Sequence, residues 1–160
     1  MNTIASPNGW RMKLEALTAA DLMSSDPISV RHDAAIYDAL VLMTERRINA
    51  APVINEAGRP VGVLSMSDVL IHERELADVR RARERHSAAV GSRQPDVRDG
   101  SSVGDLMTPT VITVGLDTPA PVVVDKMIAM KIHQLFVSDP MGTLAGVITP
   151  LDVLRKLHER

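Results

Sequence analysis

Two carboxylates stand out in this sequence because each follows a hydroxyl side chain by three positions. Asp68 follows Ser65, and Asp152 follows Thr149. An ionised carboxylate accepts charge-assisted hydrogen bonds, so either aspartate could bind a pair of vicinal hydroxyl groups. A hydroxyl and a carboxylate at this spacing also form a capping box at a helix N-terminus, and the spacing alone favours that structural role.

The sequence lacks the residue combinations on which common catalytic and metal sites depend. It contains no cysteine, no GxGxxG and no GxxxxGK(S/T), and we find no nucleophile paired with a base. The histidines show no ligand spacing with one another; they are His32, His72, His86, His133 and His158. We therefore expect a non-catalytic protein with no required cofactor and no metal site.

The composition excludes several further classes of protein. The 160 residues carry a net charge of −2, and 45% are hydrophobic, but the aromatic residues are Trp10, Tyr37 and Phe136 alone. A balanced charge argues against a general binder of nucleic-acid phosphates, and three rings are too few for a base-stacking surface. The sequence has no apolar run of membrane-spanning length and no signal-peptide pattern, which predicts a cytoplasmic protein without membrane contact.

A gapless internal repeat organises the chain. A shift of 84 positions places residues 18–70 on residues 102–154, with 15 of the 53 aligned positions identical. The matches include two short motifs, Asp-Leu-Met at 21–23 and 105–107 and Asp-Val-Leu at 68–70 and 152–154. Such a repeat indicates two copies of one structural unit. Neither copy can bury its own sheet and helices, so the two must pack on each other.

Each repeat is predicted to contain a strand, a helix, two strands and a helix, after a short helical turn. Capping boxes at Thr18 and Ser102 begin the turn, and Met23 and Met107 end it. The strands are predicted at 27–30, 50–54 and 60–64 and, in the second repeat, at 111–114, 134–138 and 144–148.

The predicted helices begin at polar residues. Asp33 and Thr118 mark the start of the first helix of each repeat, and Ser65 and Thr149 mark the start of the second. Residues 122–124 are three valines, which alone would suggest a strand, but the register with the first repeat favours a helix. The predicted domains are an N-terminal segment (1–17), a first domain (18–75), a helical extension and linker (76–101) and a second domain (102–160).

The arginine cluster at 80–85 and Trp10 lie outside the repeats, and both are expected to have structural roles. The arginines at 80–85 are interleaved with acidic residues, which favours a solvated helix at 71–86 over a nucleic-acid site. Trp10 is expected to anchor the N-terminal segment.

The repeated motifs resemble those of the cystathionine-β-synthase (CBS) domain pair, also called the Bateman module. The resemblance rests on Asp-Leu-Met followed by a short strand, and on the segments from Gly62 to Asp68 and from Gly146 to Asp152. It covers residues 18–70 and 102–157. It implies an α+β fold of two βαββα units related by a pseudo-two-fold axis. The family typically binds AMP, ADP, ATP or S-adenosylmethionine in the cleft between the units and commonly forms disc-like homodimers.

The resemblance also implies which residues bind an adenosine ligand. It places Asp68 and Asp152 on the ribose and the hydroxyls of Ser65 and Thr149 near ribose or phosphate, where helix N–H groups favour an anion. The base should lie against strand starts, which are Asp26, Ile28, Ala50, Ala51 and Pro52 in the first site and Thr110, Ile112, Gln134, Leu135 and Phe136 in the second.

The second predicted site departs from the first at its base-side strand. Phe136 replaces Pro52, which predicts either a narrower pocket or a Phe136 side chain turned into the core, and unequal occupancy of the two sites. Four cations flank these strands and could bind phosphate or complement a helix C-terminus; they are Arg46, Arg47, Lys131 and His133.

These observations lead to two hypotheses of function. The first is a regulatory sensor that binds an adenine nucleotide or S-adenosylmethionine and signals to a protein partner that the sequence does not identify. The second is a ligand-free module for dimerisation or docking. Under either hypothesis we expect a homodimer.

Overall fold

The computed structural model describes residues 3–5, 11–90 and 100–159, so Trp10 and positions 91–99 of the predicted linker lie outside the described residues. The chain divides into two compact units. The terminal unit contains the residues up to Ile28, the segment Glu56–Pro60 and the residues from Val111 onward. The central unit contains Ser29–Asn55 and Val61–Thr110. Each unit therefore combines segments from both sequence repeats.

The described residues form short strands and six helices. The helices are α1 (Ala19–Leu22), α2 (Ile36–Glu45), α3 (Met66–Val90), α4 (Val103–Leu106), α5 (Ala120–Met130) and α6 (Pro150–Arg155). The strands are β1 (Thr3–Ala5), β2 (Arg11–Leu14), β3 (Ser24–Ser25), β4 (Val30–Arg31), β5 (Ala50–Ile54), β6 (Pro60–Ser65), β7 (Thr113–Gly115), β8 (Leu135–Ser138), β9 (Leu144–Ile148) and β10 (Leu157–Glu159). None of the described helices is long and apolar enough to span a membrane.

The central unit is built on a three-stranded sheet in the order β4-β5-β6. Strands β4 and β5 run parallel, with Val30 opposite Val53. A parallel pair needs a crossover connection, which α2 supplies. One face of the sheet and the apolar face of α2 form a core that includes Val53, Leu64 and Met43, all 0% exposed.

The terminal unit has a four-stranded sheet in the order β3-β9-β8-β7. Strands β7 and β8 are parallel and connected through α5, as β4 and β5 are through α2, and β9 returns antiparallel to β8. The fourth strand is β3, in which Ser24 pairs with Val147 and Ser25 with Gly146. The sequence predicts three strands per repeat, and the additional strand comes from the segment before the first repeat's own sheet.

The first strand of each repeat begins later than predicted. The predicted strand at 27–30 is observed as Val30–Arg31, and that at 111–114 as Thr113–Gly115. Pro27 has no backbone N–H to donate, and the parallel partner of β4 is the end of β5, so only the last residues of the predicted segment find a partner. Gln134 likewise precedes β8.

The first helix of each repeat also begins later than predicted. The N-cap residues are Ala35 and Pro119, not Asp33 and Thr118. The Asp33 carboxylate does not cap α2 because it is held by the Arg31 guanidinium, with Nε–Oδ1 2.8 Å and Nη2–Oδ2 2.7 Å. The three valines at 122–124 lie within α5, which confirms the helix predicted from the repeat.

The short helix at the start of each repeat packs on the other repeat. We call residues 18–25 the first lead-in and residues 102–109 the second. In the terminal unit Ala19 N–H donates to Thr118 O at 2.7 Å, and in the central unit Val103 N–H donates to Ala34 O at 2.9 Å. These bonds occupy equivalent positions of the repeat. Each lead-in therefore belongs to a unit that does not contain the long first helix of its own repeat.

A third sheet joins the two ends of the described chain. Strand β2 lies between β1 and β10 and is antiparallel to both, with Lys13 opposite Thr3 on one side and His158 on the other. This sheet belongs to the terminal unit and was not predicted from the sequence. At the position equivalent to β10 the first repeat continues as helix α3, so the repeat offered no second copy of this strand to compare.

Candidate functional site

Ser65 with Asp68 and Thr149 with Asp152 form capping boxes, as their spacing predicts. Asp68 Oδ2 accepts hydrogen bonds from the Ser65 N–H at 2.8 Å and from the Ser65 hydroxyl at 2.7 Å. Asp152 Oδ2 accepts from the Thr149 N–H at 2.8 Å and from the Thr149 hydroxyl at 2.6 Å. In both pairs one carboxylate oxygen stabilises the helix start, which leaves Oδ1 for other partners.

The Oδ1 atoms of the two aspartates have different surroundings. Asp152 Oδ1 accepts a hydrogen bond from the Ser24 hydroxyl at 3.1 Å and lies 3.8 Å from Nη1 of Arg155. Asp152 is only 8% exposed. Asp68 is half-buried, and among the described residues no donor lies within hydrogen-bonding distance of its Oδ1. The two carboxylates therefore share a structural role but differ in their capacity to accept a further donor.

The base-side strands are mostly buried. Ala51 and Leu135 are 0% exposed and belong to the cores of the central and terminal units. Because side chains alternate along a strand, Pro52 and Phe136 lie on the opposite sheet face. Phe136 is 1% exposed, so its side chain is buried, on the sheet face opposite the cluster that contains Leu135.

Each predicted set of site residues draws on both compact units. Asp26 and Ile28 belong to the terminal unit, whereas Ala50–Pro52, Ser65 and Asp68 belong to the central unit. In the second set Thr110 belongs to the central unit, and the others belong to the terminal unit; these are Ile112, Gln134, Leu135, Phe136, Thr149 and Asp152. Within the terminal unit Phe136 N–H donates to Ile112 O at 3.0 Å.

The four cations predicted near phosphate lie at helix ends. Arg46, Arg47, Lys131 and His133 are exposed. Arg47 and Lys131, which are equivalent in the repeat, have left-handed backbone conformations with φ of 53° and 52°. Their N–H groups bond to the last turns of α2 and α5. These two residues thus terminate helices, and their role toward phosphate stays a prediction.

Two carboxyl groups outside the predicted site have perturbed pKa values. The Arg31 hydrogen bonds lower the pKa of Asp33 to about 2. Backbone N–H groups of Thr18 and Leu17 lower the pKa of Asp21, which caps α1. Both shifts arise from hydrogen bonds within local turns. Within the part of the chain that the structure describes, no group of three or more potential metal ligands occurs.

The fold agrees with the comparisons with known proteins. The sequence profile of the CBS domain matches residues 19–75 and 103–159, so the chain belongs to the CBS domain family as a tandem pair. A solved structure of CBSX2 in complex with AMP is 28% identical and superposes with a TM-score of 0.66, covering 88% of this chain and 95% of that one.

Curated relatives include proteins of quite different length. The chain is 28% identical to an SNF1-related protein kinase regulatory subunit gamma-1 of Arabidopsis thaliana, over 94% of this chain and 36% of the subunit. It is 27% identical to an uncharacterized protein of Methanocaldococcus jannaschii, over 89% of this chain and 92% of that protein. The chain thus spans about a third of the kinase subunit but most of the archaeal protein.

Ser24 and Arg155 were not identified by sequence reasoning. Both contact the Asp152 carboxylate, yet Ser24 lies 128 positions away from it in the chain. The repeat contains a difference that could have indicated them, because the positions equivalent to Ser24 and Arg155 hold Thr108 and Ile71. These differences show that the surroundings of the two aspartates diverge, although the aspartates themselves are identical.

Proposed function

We propose that this chain is a non-catalytic regulatory module that binds an adenosine-containing ligand, which is AMP, ADP, ATP or S-adenosylmethionine. The observation that carries the proposal is the Ser/Thr–Asp pair, duplicated in a CBS domain pair, with Oδ1 of Asp68 open to a further donor. The similarity to CBSX2 solved with AMP and to a kinase regulatory subunit supports it. The module occupies the predicted domains 18–75 and 102–160 and acts in the cytoplasm.

The proposed chemistry is recognition of a nucleoside without bond making. The open carboxylate oxygen of Asp68 accepts hydrogen bonds from the ribose hydroxyls, which are charge-assisted. The first N–H groups of the 25-residue helix α3 favour a phosphate nearby. Backbone atoms of Ala50–Pro52 contact the base. Arg46 and Arg47 at the end of α2 supply positive charge for a phosphate.

A regulatory role requires that the ligand distinguishes two states of the protein. Binding changes the population of a conformation only by as much as the ligand's affinities for the two states differ. In this proposal the ligand-bound state is the one that a partner protein recognises. The partner is not identified by the residues described above.

Calorimetric titration with each of the four compounds tests the proposal. We expect at least one of them to bind, and the double variant Asp68→Ala, Asp152→Ala to lose that binding. Asp21→Ala is the matched control, because Asp21 Oδ2 accepts from the Thr18 N–H at 2.9 Å in a capping box of the same kind, outside the site. Full binding by the double variant would defeat the assignment of the site.

We also propose that the chain forms a homodimer through exposed apolar side chains. The same side chains would serve the alternative function of a ligand-free docking module. The supporting observation is a set of exposed apolar side chains on the helices of each unit, which are Tyr37 and Leu70 in the central unit and Ile128 and Leu154 in the terminal unit. Light scattering is expected to give twice the chain mass. A dimer whose melting temperature no adenosine compound raises would favour the alternative.

A further inference from the structure

We infer that the two aspartates are not equivalent binding groups, and that each chain binds one adenosine ligand, at Asp68, while Asp152 is closed by the chain's own side chains. This inference rests on the proposed function. It concerns which of the two repeated positions binds, a question that the repeat itself leaves open.

Both carboxylate oxygens of Asp152 already have partners within the terminal unit. Oδ2 accepts from the N–H and hydroxyl of Thr149, and Oδ1 accepts from the Ser24 hydroxyl and faces Arg155. With 8% of the residue exposed, a ribose would have to displace Ser24 and compete with a cation. Replacing one hydroxyl donor by another gains little, because the exchange leaves the number of hydrogen bonds unchanged.

Asp68 has the same backbone frame but lacks both of these partners. The second lead-in lies beside β6, where Thr108 and Val63 exchange two backbone hydrogen bonds of 2.9 and 3.0 Å, just as Ser24 pairs with Val147. The Thr108 hydroxyl makes no hydrogen bond to Asp68 among the described residues, and the position equivalent to Arg155 is Ile71. The carboxylate therefore keeps one oxygen, Oδ1, without a donor from the described residues.

The difference lies in side chains and not in the fold. In both units the lead-in pairs with the strand that precedes the capping box, so the backbone brings a hydroxyl residue near each aspartate. Ser24 uses this position to close Asp152, whereas Thr108 leaves Asp68 open. Substitutions at these positions can therefore exchange the behaviour of the two sites without a change in topology.

Calorimetric titration of the full chain with AMP measures the number of sites. We expect one AMP per chain, about 10- to 100-fold weaker binding by Asp68→Asn, which loses a charged acceptor, and unchanged affinity in Asp152→Asn. Two AMP per chain, or loss of binding in Asp152→Asn with retention in Asp68→Asn, overturns the inference while the proposed function stands. If none of the four adenosine compounds binds the wild-type chain, the proposed function fails and the inference with it.

A second variant tests the closure without removing either cap. Ser24→Ala with Arg155→Ala frees Oδ1 of Asp152 and is expected to raise the stoichiometry from one AMP toward two. Thr108→Ala is the matched control at the equivalent position and is expected to leave one site of unchanged affinity. A stoichiometry that stays at one in the Ser24, Arg155 variant contradicts the role assigned to these residues. Circular dichroism spectra and melting curves verify that each variant is folded.

Discussion

The Arg31–Asp33 pair shows how a single side-chain contact can keep a residue from capping a helix. The guanidinium donates two hydrogen bonds to the carboxylate, and the two side chains are about half exposed. This pairing draws Asp33 away from the N-terminus of α2 and lowers its pKa to about 2. Asp33 therefore contributes to the turn before α2 through its charge, which makes the contribution dependent on pH.

The Asp33 pKa predicts a pH dependence of stability at the acid end. Its folded-state pKa lies below the ordinary value of 3.8, so its stabilisation is present above about pH 4 and is lost as the pH falls toward 2. We expect the wild type to lose more unfolding free energy over this interval than Asp33→Asn does, as measured by urea denaturation at each pH. Asp117→Asn is the control, because Gly115 stands where Arg31 would be. Parallel pH profiles for wild type and Asp33→Asn would contradict the prediction.

The left-handed residues at the ends of α2 and α5 predict a stabilising substitution. A non-glycine residue in this conformation is disfavoured by about 1 kcal/mol, and Lys131 has φ of 52°. We expect Lys131→Gly to raise the unfolding free energy by about 0.5–1 kcal/mol, less than the full strain because glycine gains entropy when unfolded. Ala129→Gly, within α5, should instead lower it by about 1 kcal/mol.

The same variant separates the two roles suggested for Lys131. If the ammonium group can bind phosphate at the second predicted site, Lys131→Gly should weaken ATP binding there in the Ser24→Ala, Arg155→Ala background, where Asp152 Oδ1 is free, even as the protein becomes more stable. Unchanged ATP affinity together with increased stability would assign Lys131 to helix termination alone. A fall in stability would refute the strain argument.

At the scale of elements, the repeated glycines and methionines hold the lead-ins against the sheets. A Cβ on Gly62 would lie 2.8 Å from the carbonyl oxygen of Thr108 and 2.6 Å from the sulfur of Met107. A Cβ on Gly146 would collide with the side chain of Met23, whose Cγ would be 2.8 Å away. The identity of these residues in both repeats therefore has a packing cause: each lead-in lies too close to its strand for any side chain.

This packing predicts unequal effects of the same substitution in the two units. Gly62→Ala should lower the unfolding free energy by about 2–3 kcal/mol because a backbone atom has to move, and Gly146→Ala by about 1–2 kcal/mol because the Met23 side chain can rearrange. Adding Met23→Ala should recover part of the loss in Gly146→Ala. Thermal denaturation measures both effects, and Gly115→Ala, with its nearest contact at 3.9 Å, provides an unstrained comparison. Equal losses at Gly62 and Gly146 would contradict the argument.

Helices and strands that are determined by neighbouring residues were predicted from the sequence. Strands that depend on pairing between distant segments were missed. The helix start at Thr149 and the helical register of 122–124 followed from capping chemistry and from the repeat. The strands β1, β2 and β10 could not be predicted, since they are stabilised by pairing between the two ends of the chain. The late start of β4 likewise depends on its register with β5.

In the candidate site, likewise, contacts between neighbouring residues were predicted and contacts between distant residues were missed. The spacing of Ser65 and Asp68 predicts the capping box, and the family resemblance implies that Asp68 also binds a ligand. Ser24 was missed because its contact with Asp152 depends on the path of the first lead-in, which hydrophobic patterning does not reveal. The direction of Phe136 required knowledge of which sheet face the α5 core covers.

At the scale of the whole molecule, the two compact units are not successive stretches of sequence. The terminal unit takes the first lead-in from the start of the chain, and the central unit takes the second lead-in from beyond the predicted linker. Each unit therefore lacks a strand or a helix if either half of the sequence is removed. The connection at 91–99 joins two halves that already exchange elements.

This arrangement predicts that a chain cut between residues 91 and 99 stays assembled. We expect the two fragments to elute together in size-exclusion chromatography under native conditions and to separate in denaturant. Each fragment expressed alone should lack the cooperative unfolding of the whole chain, because its cores are incomplete. Independent, cooperative unfolding of either fragment would show that the exchanged lead-ins are dispensable.

The β1-β2-β10 sheet brings the first and last described strands close together, which would allow a circular permutation of the chain. Because β1 and β10 flank the same strand, Ile4 and Glu159 both face Met12 and lie roughly 10 Å apart, two strand spacings. A few residues could join these ends, and new ends could be opened at 91–99. The resulting circular permutant would be synthesised with the second repeat first, so that the same fold would arise from the reverse order of its halves.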